Sequence, residues 1–366
     1  MARIERIEMQ QLTVNSATEW VFLVLHCSDG VLGSGEATLY KREQQLREIA
    51  ARVQARVHGL ECADVNRLAS LRRSDRLDQP TYAVWSALEQ ALLDANGQRF
   101  ALPIHDLLGG RAVDDVGIYA NINRSVTQRT PEAFAATASR AVAAGYDAIK
   151  IAPFDGLDCK SSDLQHRPPT YTAGLARIDA VRAAIGTHTR LLVDCHWRFD
   201  ESAARQLIDD VAAHDLYWLE CPIPEDEHNV AALKRLRARA NERGMRLAGC
   251  ETMLGVEGFA PFIEGGALDV VMPDVKYAGG LQECRHIARL AEAHGVALSP
   301  HNPTGPICHA ASLHLAVSIP NCLVLEHQLG ESRLFDEIVG HDLPRIVNGR
   351  SRAPRGPGLG VKLTLN

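Results

Sequence analysis

The sequence predicts an α/β protein, a closed (β/α)8 TIM-type barrel preceded by a separate α+β domain. Three observations predict it. From residue 116 onward short apolar runs alternate with stretches of helical period, and eight such rounds can be counted. Three of the runs end in an acid: Leu191-Leu192-Val193-Asp194, Tyr217-Trp218-Leu219-Glu220 and Leu247-Ala248-Gly249-Cys250-Glu251. Before residue 115 strand-like segments come first and helical ones follow, which is the order of a separate α+β unit.

In chain order, 4–14, 19–28 and 31–36 read as strands, with Asp29-Gly30 as the tight turn between the last two. Helical stretches follow at 42–57 and 81–99. Gly109-Gly110 marks the boundary, so the first, α+β domain is taken as 1–115. The barrel, 116–328, has strands expected at 116–121, 148–151, 190–194, 217–220, 246–250, 269–272, 296–299 and 323–326. Helices are expected at 131–144, 171–185, 201–213, 230–243, 281–294 and 309–317. The segment 329–366 is rich in Gly, Pro and Arg without a period, and is expected to return to the first domain. Its Gly-Pro-Gly-Leu-Gly string at 356–360 precedes no helix, which favours a turn over a phosphate loop.

Composition excludes several classes. The 366 residues, 46% hydrophobic, can bury a large core. A formal charge of -6 without a block of like charge offers no basic face, so neither nucleic acid nor an anionic membrane is an expected partner. No apolar run has the length of a membrane span, and Met1-Ala2-Arg3-Ile4-Glu5 lacks the layout of a signal peptide; a cytoplasmic location is expected. Nine cysteines without a C-x-x-C pair fit reduced thiols. Cys195, Cys221 and Cys250 neighbour the three acids and are expected to turn away from them as core filler.

In a barrel the strand-end acids converge at the C-terminal mouth. Unbalanced, three such carboxylates repel one another and take up protons, so a cation is the simpler solution. All-oxygen ligation suits a hard ion, Mg²⁺ first and Mn²⁺ second, which makes Asp194, Glu220 and Glu251 the expected metal ligands. Three unrelated loop acids are the alternative, and the regular spacing speaks against it. Lys150 ends strand two at the same mouth, where it can hold a substrate carboxylate, act as a base or balance the acids. Asp274 and His301 end the adjacent strands six and seven. An aspartate bonded to one imidazole nitrogen leaves the other as a general base. His196, two residues after Asp194, points the same way if the strand persists, as a second acid-base group. Glu326 ends strand eight as a proton donor or hydrogen-bond partner. His26, His58, His286, His294, His309 and His314 are assigned no chemistry. The long loop 153–170, with His166 and Arg167, is a candidate lid.

On these residues the chain resembles the enolase superfamily, in its mandelate racemase-like branch, over nearly its whole length. Asp194, Glu220 and Glu251 match the metal ligands of that family. Pro273-Asp274, Gly279-Gly280 and His301 match its aspartate–histidine dyad, and Glu326 its strand-eight glutamate. The resemblance implies a capping domain over a modified barrel, with Mg²⁺ stabilising an enolate formed by loss of the proton next to a carboxylate. Many members carry Lys-x-Lys after strand two, whereas here Ala152 follows Lys150, which lowers the racemase reading. Asp194-x-His196 with Asp274 and the string His301-Asn302-Pro303-Thr304-Gly305-Pro306-Ile307 look most like the galactonate dehydratase type. That likeness implies His301 as base and His196 as general acid, acting on a small-molecule carboxylate. The expected function is Mg²⁺-dependent dehydration of an aldonate or aldarate to a 2-keto-3-deoxy acid. The alternative is racemisation or epimerisation of an α-substituted acid on the same site. Family specificity points to the loops 14–20 and 37–43, with Asn15, Ser16, Thr18, Trp20, Tyr40 and Lys41, and family habit to a homo-oligomer.

Overall fold

Strands β1 (Ile4–Thr13), β2 (Glu19–Cys27) and β3 (Leu32–Glu36) form an antiparallel sheet in that order in the computed structural model, which describes residues 2–16, 18–75, 78–158, 160 and 166–365. The turn between β2 and β3 falls at Asp29-Gly30, where Gly30 takes φ +82°. Helices α1 (Glu43–Val57), α2 (Val65–Arg72) and α3 (Gln79–Phe100) follow, then the short α4 (Ile104–Leu107). Asp78 caps α3 by accepting from the Thr81 N–H, and Pro80 stands in its first turn. The sheet lies directly on this helix. A Cβ on Gly33 or Gly35 would stand 1.9 Å from the Ala91 or Ala87 carbonyl oxygen, so glycine is what lets the two backbones touch.

The barrel strands are β4 (Val116–Asn121), β5 (Ala148–Ile151), β6 (Arg190–Asp194), β7 (Leu216–Glu220), β8 (Arg246–Gly249), β9 (Val270–Val271), β10 (Ala297–Leu298) and β11 (Leu325–Gln328). From β4 to β10 each pairs in parallel with its chain neighbours. Pairing of β11 with β4 and a parallel bridge from Leu298 to Cys322 close the ring. Tyr119, Leu192, Trp218, Val270 and Met272 fill its interior. Outside run α5 (Pro131–Ala143), α6 (Pro169–Ile185), α7 (Glu201–Asp210), α8 (Val230–Glu242), α9 (Gly255–Glu264), α10 (Leu281–Ala293) and α11 (Pro306–Ser318).

Sequence and structure differ at several elements. Helix α2 is only eight residues long, too few for its period to register. Helix α9 is masked in the sequence by Gly255, Gly258 and an internal Pro261. After β11 the eighth round holds only the four-residue α12 (Leu334–Glu337), so among the described residues seven full helices surround eight strands. The remaining chain adds β12 (Arg350–Ser351) antiparallel to β4. It then runs against α3, where the Leu359 N–H donates to Asp94 Oδ1 at 2.8 Å. No described helix is long and apolar enough to cross a membrane.

Candidate active site and metal centre

Parallel register sets Asp194 on β6 beside Glu220 on β7. Glu251 stands two residues beyond the end of β8, after Cys250 has taken a left-handed φ of +69°. Its carboxylate is thus brought in by a turn rather than by strand alternation. One oxygen from each of the three acids lies within 4.8 Å of the others, and all three are buried. Among the described residues Glu251 Oε2 has no hydrogen-bond partner. Burial, with the charges of Asp194 and Glu220, pushes Glu251 well above the usual carboxylate range, and burial pushes Glu220 up to about 7. A buried all-oxygen cluster that otherwise seeks protons fits a hard divalent cation. Cys195, Cys221 and Cys250 are buried free thiols.

Lys150, 1% exposed, donates from Nζ to Glu220 Oε1 at 2.6 Å and lies 3.0 Å from Glu326 Oε1 and 3.8 Å from Asp194 Oδ2. Burial opposes its charge, but Glu220 and Glu326 hold its pKa well above the ordinary lysine value. In this setting it is an ammonium, which argues against a base. Glu326 also accepts from Asn121 Nδ2 at 2.7 Å and from the Asn302 N–H at 2.8 Å. Against the effect of burial, Lys150 and these partners bring it down to about 2, so it is held ionised rather than poised as an acid.

Across the mouth, His301 Nδ1 lies 2.8 Å from Asp274 Oδ2 and 3.2 Å from the Tyr277 hydroxyl, while its Nε2 is 3.7 Å from Glu251 Oε2. The same Asp274 oxygen accepts from Lys276 Nζ at 2.8 Å, and Asp274 Oδ1 accepts from the Lys276 N–H. Despite burial, Lys276 and His301 hold Asp274 below the usual carboxylate range. His196 Nε2 lies 3.0 Å from Asp194 Oδ2. It gets there by a route other than the expected one, because the strand stops at Asp194 and His196 is left-handed with φ +47°. Burial works against ionising Asp194, yet His196 and Lys150 lower it to about 2.

Asn121, Asn302, Lys276 and Tyr277 were not anticipated. Asn121 ends an apolar strand and Lys276 follows Asp274 by two, so the strand-end signal was present for both.

Between the capping domain and the barrel loops after β4 and β11 runs a cleft of about 990 Å³ whose walls include Ser16, Thr18, Tyr40, Lys41, Arg124 and Glu331. The Thr18 hydroxyl donates to Glu331 Oε1 at 2.6 Å, and Arg124 Nη1 contacts both Glu331 oxygens. Trp20 is not a loop residue: it belongs to β2 and is fully buried. Of the candidate lid, residues 159 and 161–165 lie outside the described residues; Arg167 bonds Asp210, and His166 is exposed.

The profile described as mandelate racemase/muconate lactonizing enzyme, N-terminal domain, matches residues 2–109, and that described as enolase C-terminal domain-like matches residues 133–366. The chain belongs to the mandelate racemase/muconate lactonizing enzyme family of the enolase superfamily. Among members similar to it is a D-xylonate dehydratase of Haloferax volcanii, 28% identical over 99% of this chain and 87% of its own length. A D-galactonate dehydratase of Ralstonia nicotianae is 29% identical over 94% of this chain and 88% of its own. The crystal structure of a mandelate racemase/muconate lactonizing enzyme from a Sulfitobacter species is 26% identical, with a TM-score of 0.89 over 100% of this chain and 94% of the other.

Proposed function

We propose that this family member is a divalent-metal-dependent dehydratase of an aldonic acid, removing the proton α to the carboxylate and the β-hydroxyl to leave a 2-keto-3-deoxy acid. The observation that carries this reading is the pair of histidines flanking the acidic triad. His301 donates its Nδ1–H to Asp274, the tautomer that the bond implies, and so keeps a lone pair on Nε2 for the α-proton. His196, on Asp194, delivers a proton to the departing hydroxyl. They follow strands three and seven, four places apart in a ring of eight, so base and acid stand on opposite sides of the mouth. Mg²⁺, or Mn²⁺, held by Asp194, Glu220 and Glu251 would supply the positive charge that stabilises the enolate. Lys150 offsets part of the negative charge where the substrate carboxylate enters.

The names of the relatives support an aldonate. Ala152, buried two places after Lys150 where many members of the family carry a second lysine, speaks against epimerisation. The test is incubation of the protein and Mg²⁺ with separate panels of aldonic and aldaric acids, reading keto product with a carbonyl reagent. Product from aldonates that disappears with chelator is the expected result. Turnover of aldarates alone would overturn the substrate class, and no keto product from either panel would overturn dehydration.

A further inference from the structure

After Asp194 two successive non-glycine residues, His196 (φ +47°) and Trp197 (φ +57°), are left-handed. Each is strained, and such a turn persists only where its surroundings over-determine it. Backbone contacts supply part of the restraint. The His196 N–H donates to Asp194 Oδ1 at 2.9 Å, the Trp197 N–H to the Cys221 carbonyl at 2.6 Å, and the Phe199 N–H to the Pro222 carbonyl at 3.1 Å. The indole supplies the rest, because Trp197 Nε1–H donates to Glu225 Oε2 at 2.9 Å. Glu225 lies in the loop after β7 and is 8% exposed. Its other oxygen rests over Gly249, where a Cβ would come within 2.1 Å, so the close of β8 keeps that carboxylate in place. No reaction step uses this buried acid.

We infer that Glu225 is a positioning residue, which fixes the left-handed turn through the Trp197 indole and so sets the His196 imidazole over Asp194. The inference rests on the reading of His196 as the general acid. Its consequence is selective. Water loss depends on Glu225, whereas proton abstraction by His301, on the far side of the mouth, does not.

Glu225→Ala, Glu225→Gln and Trp197→Phe are to be compared with His196→Asn, in the full chain with Mg²⁺. Three quantities are read: exchange of the substrate α-proton for deuterium, keto product, and the rate at which diethyl pyrocarbonate acylates His196, followed by peptide mass spectrometry. Glu225→Ala and Trp197→Phe should lower water loss about ten- to hundred-fold, the scale of a misplaced catalytic group, with exchange at the wild-type rate. Acylation of His196 should rise in both, while that of the exposed His294 stays constant. Glu225→Gln, whose amide oxygen still accepts from the indole, should restore wild-type behaviour. A parallel fall of exchange and water loss, or an unchanged His196 acylation rate, overturns the inference. Should Glu225→Ala fail to fold, Trp197→Phe carries the same comparison. If His196→Asn does not divide exchange from water loss, the acid assignment falls, and the acylation rate alone decides whether Glu225 holds the turn.

Discussion

His301 and His196 serve different halves of the proposed reaction, and single substitutions should separate them. His301→Asn removes the base while keeping a polar side chain beside Asp274, so exchange and dehydration should both drop by about 10²-fold or more. Deuterium uptake at the wild-type rate in that variant would remove His301 as the base. In His196→Asn exchange should continue while water loss stops; full dehydration there would discard the acid assignment. Glu251→Gln keeps the volume of the third ligand and removes its charge, so Mn²⁺ affinity, read by the paramagnetic signal of the free ion, should fall about ten-fold or more. Equal affinity would take Glu251 out of the metal site.

At the scale of elements, the site depends on a latch between domains. Glu36, the last residue of β3, accepts from the Thr304 hydroxyl and the Gly305 N–H, each at 2.7 Å, and from the Cys308 N–H at 2.9 Å. A carboxylate from the capping domain thereby meets the positive end of α11, three to four residues past His301. Glu36→Ala leaves those donors unpaired and should cost about 2–3 kcal/mol in urea unfolding, with Glu36→Gln costing less. Equal stability of the alanine variant would remove the latch. The strand-and-acid pattern was legible because apolar runs and their ends are local signals, and Asp274 meets His301 because adjacent runs become adjacent strands. The latch was not: Glu36 looks like any strand-end acid until folding brings residue 305 to it.

For the molecule as a whole, acid stability should report a buried histidine pair. His105 and His314 approach Nδ1 to Nδ1 at 2.8 Å where α4, α11 and the C-terminal segment meet, and His314 Nε2 bonds the Leu359 carbonyl. Burial lowers His314 to about 3 from an ordinary 6.5. The unfolded chain therefore binds more protons between those values. The stability is present above pH 6.5 and is lost as pH falls toward 3. Relative to wild type, His314→Phe should show a shallower decline below pH 6.5, by on the order of 1.4 kcal/mol per pH unit. Parallel stability profiles for the two proteins would remove His314 from the acid response.

By itself the sequence determined the alternation of strands and helices, the closed parallel ring and the pairing of Asp194 with Glu220 at its mouth, because each follows from short-range periodicity and from what one strand end does beside the next. The tertiary structure alone decided the ammonium state of Lys150, the neutralising partner of Asp274, the turn that brings His196 to Asp194 and the clasp of Glu36 on α11. Those depend on burial, on charges far apart in the chain and on left-handed residues just past the strand ends, where alternation no longer says which way a side chain points.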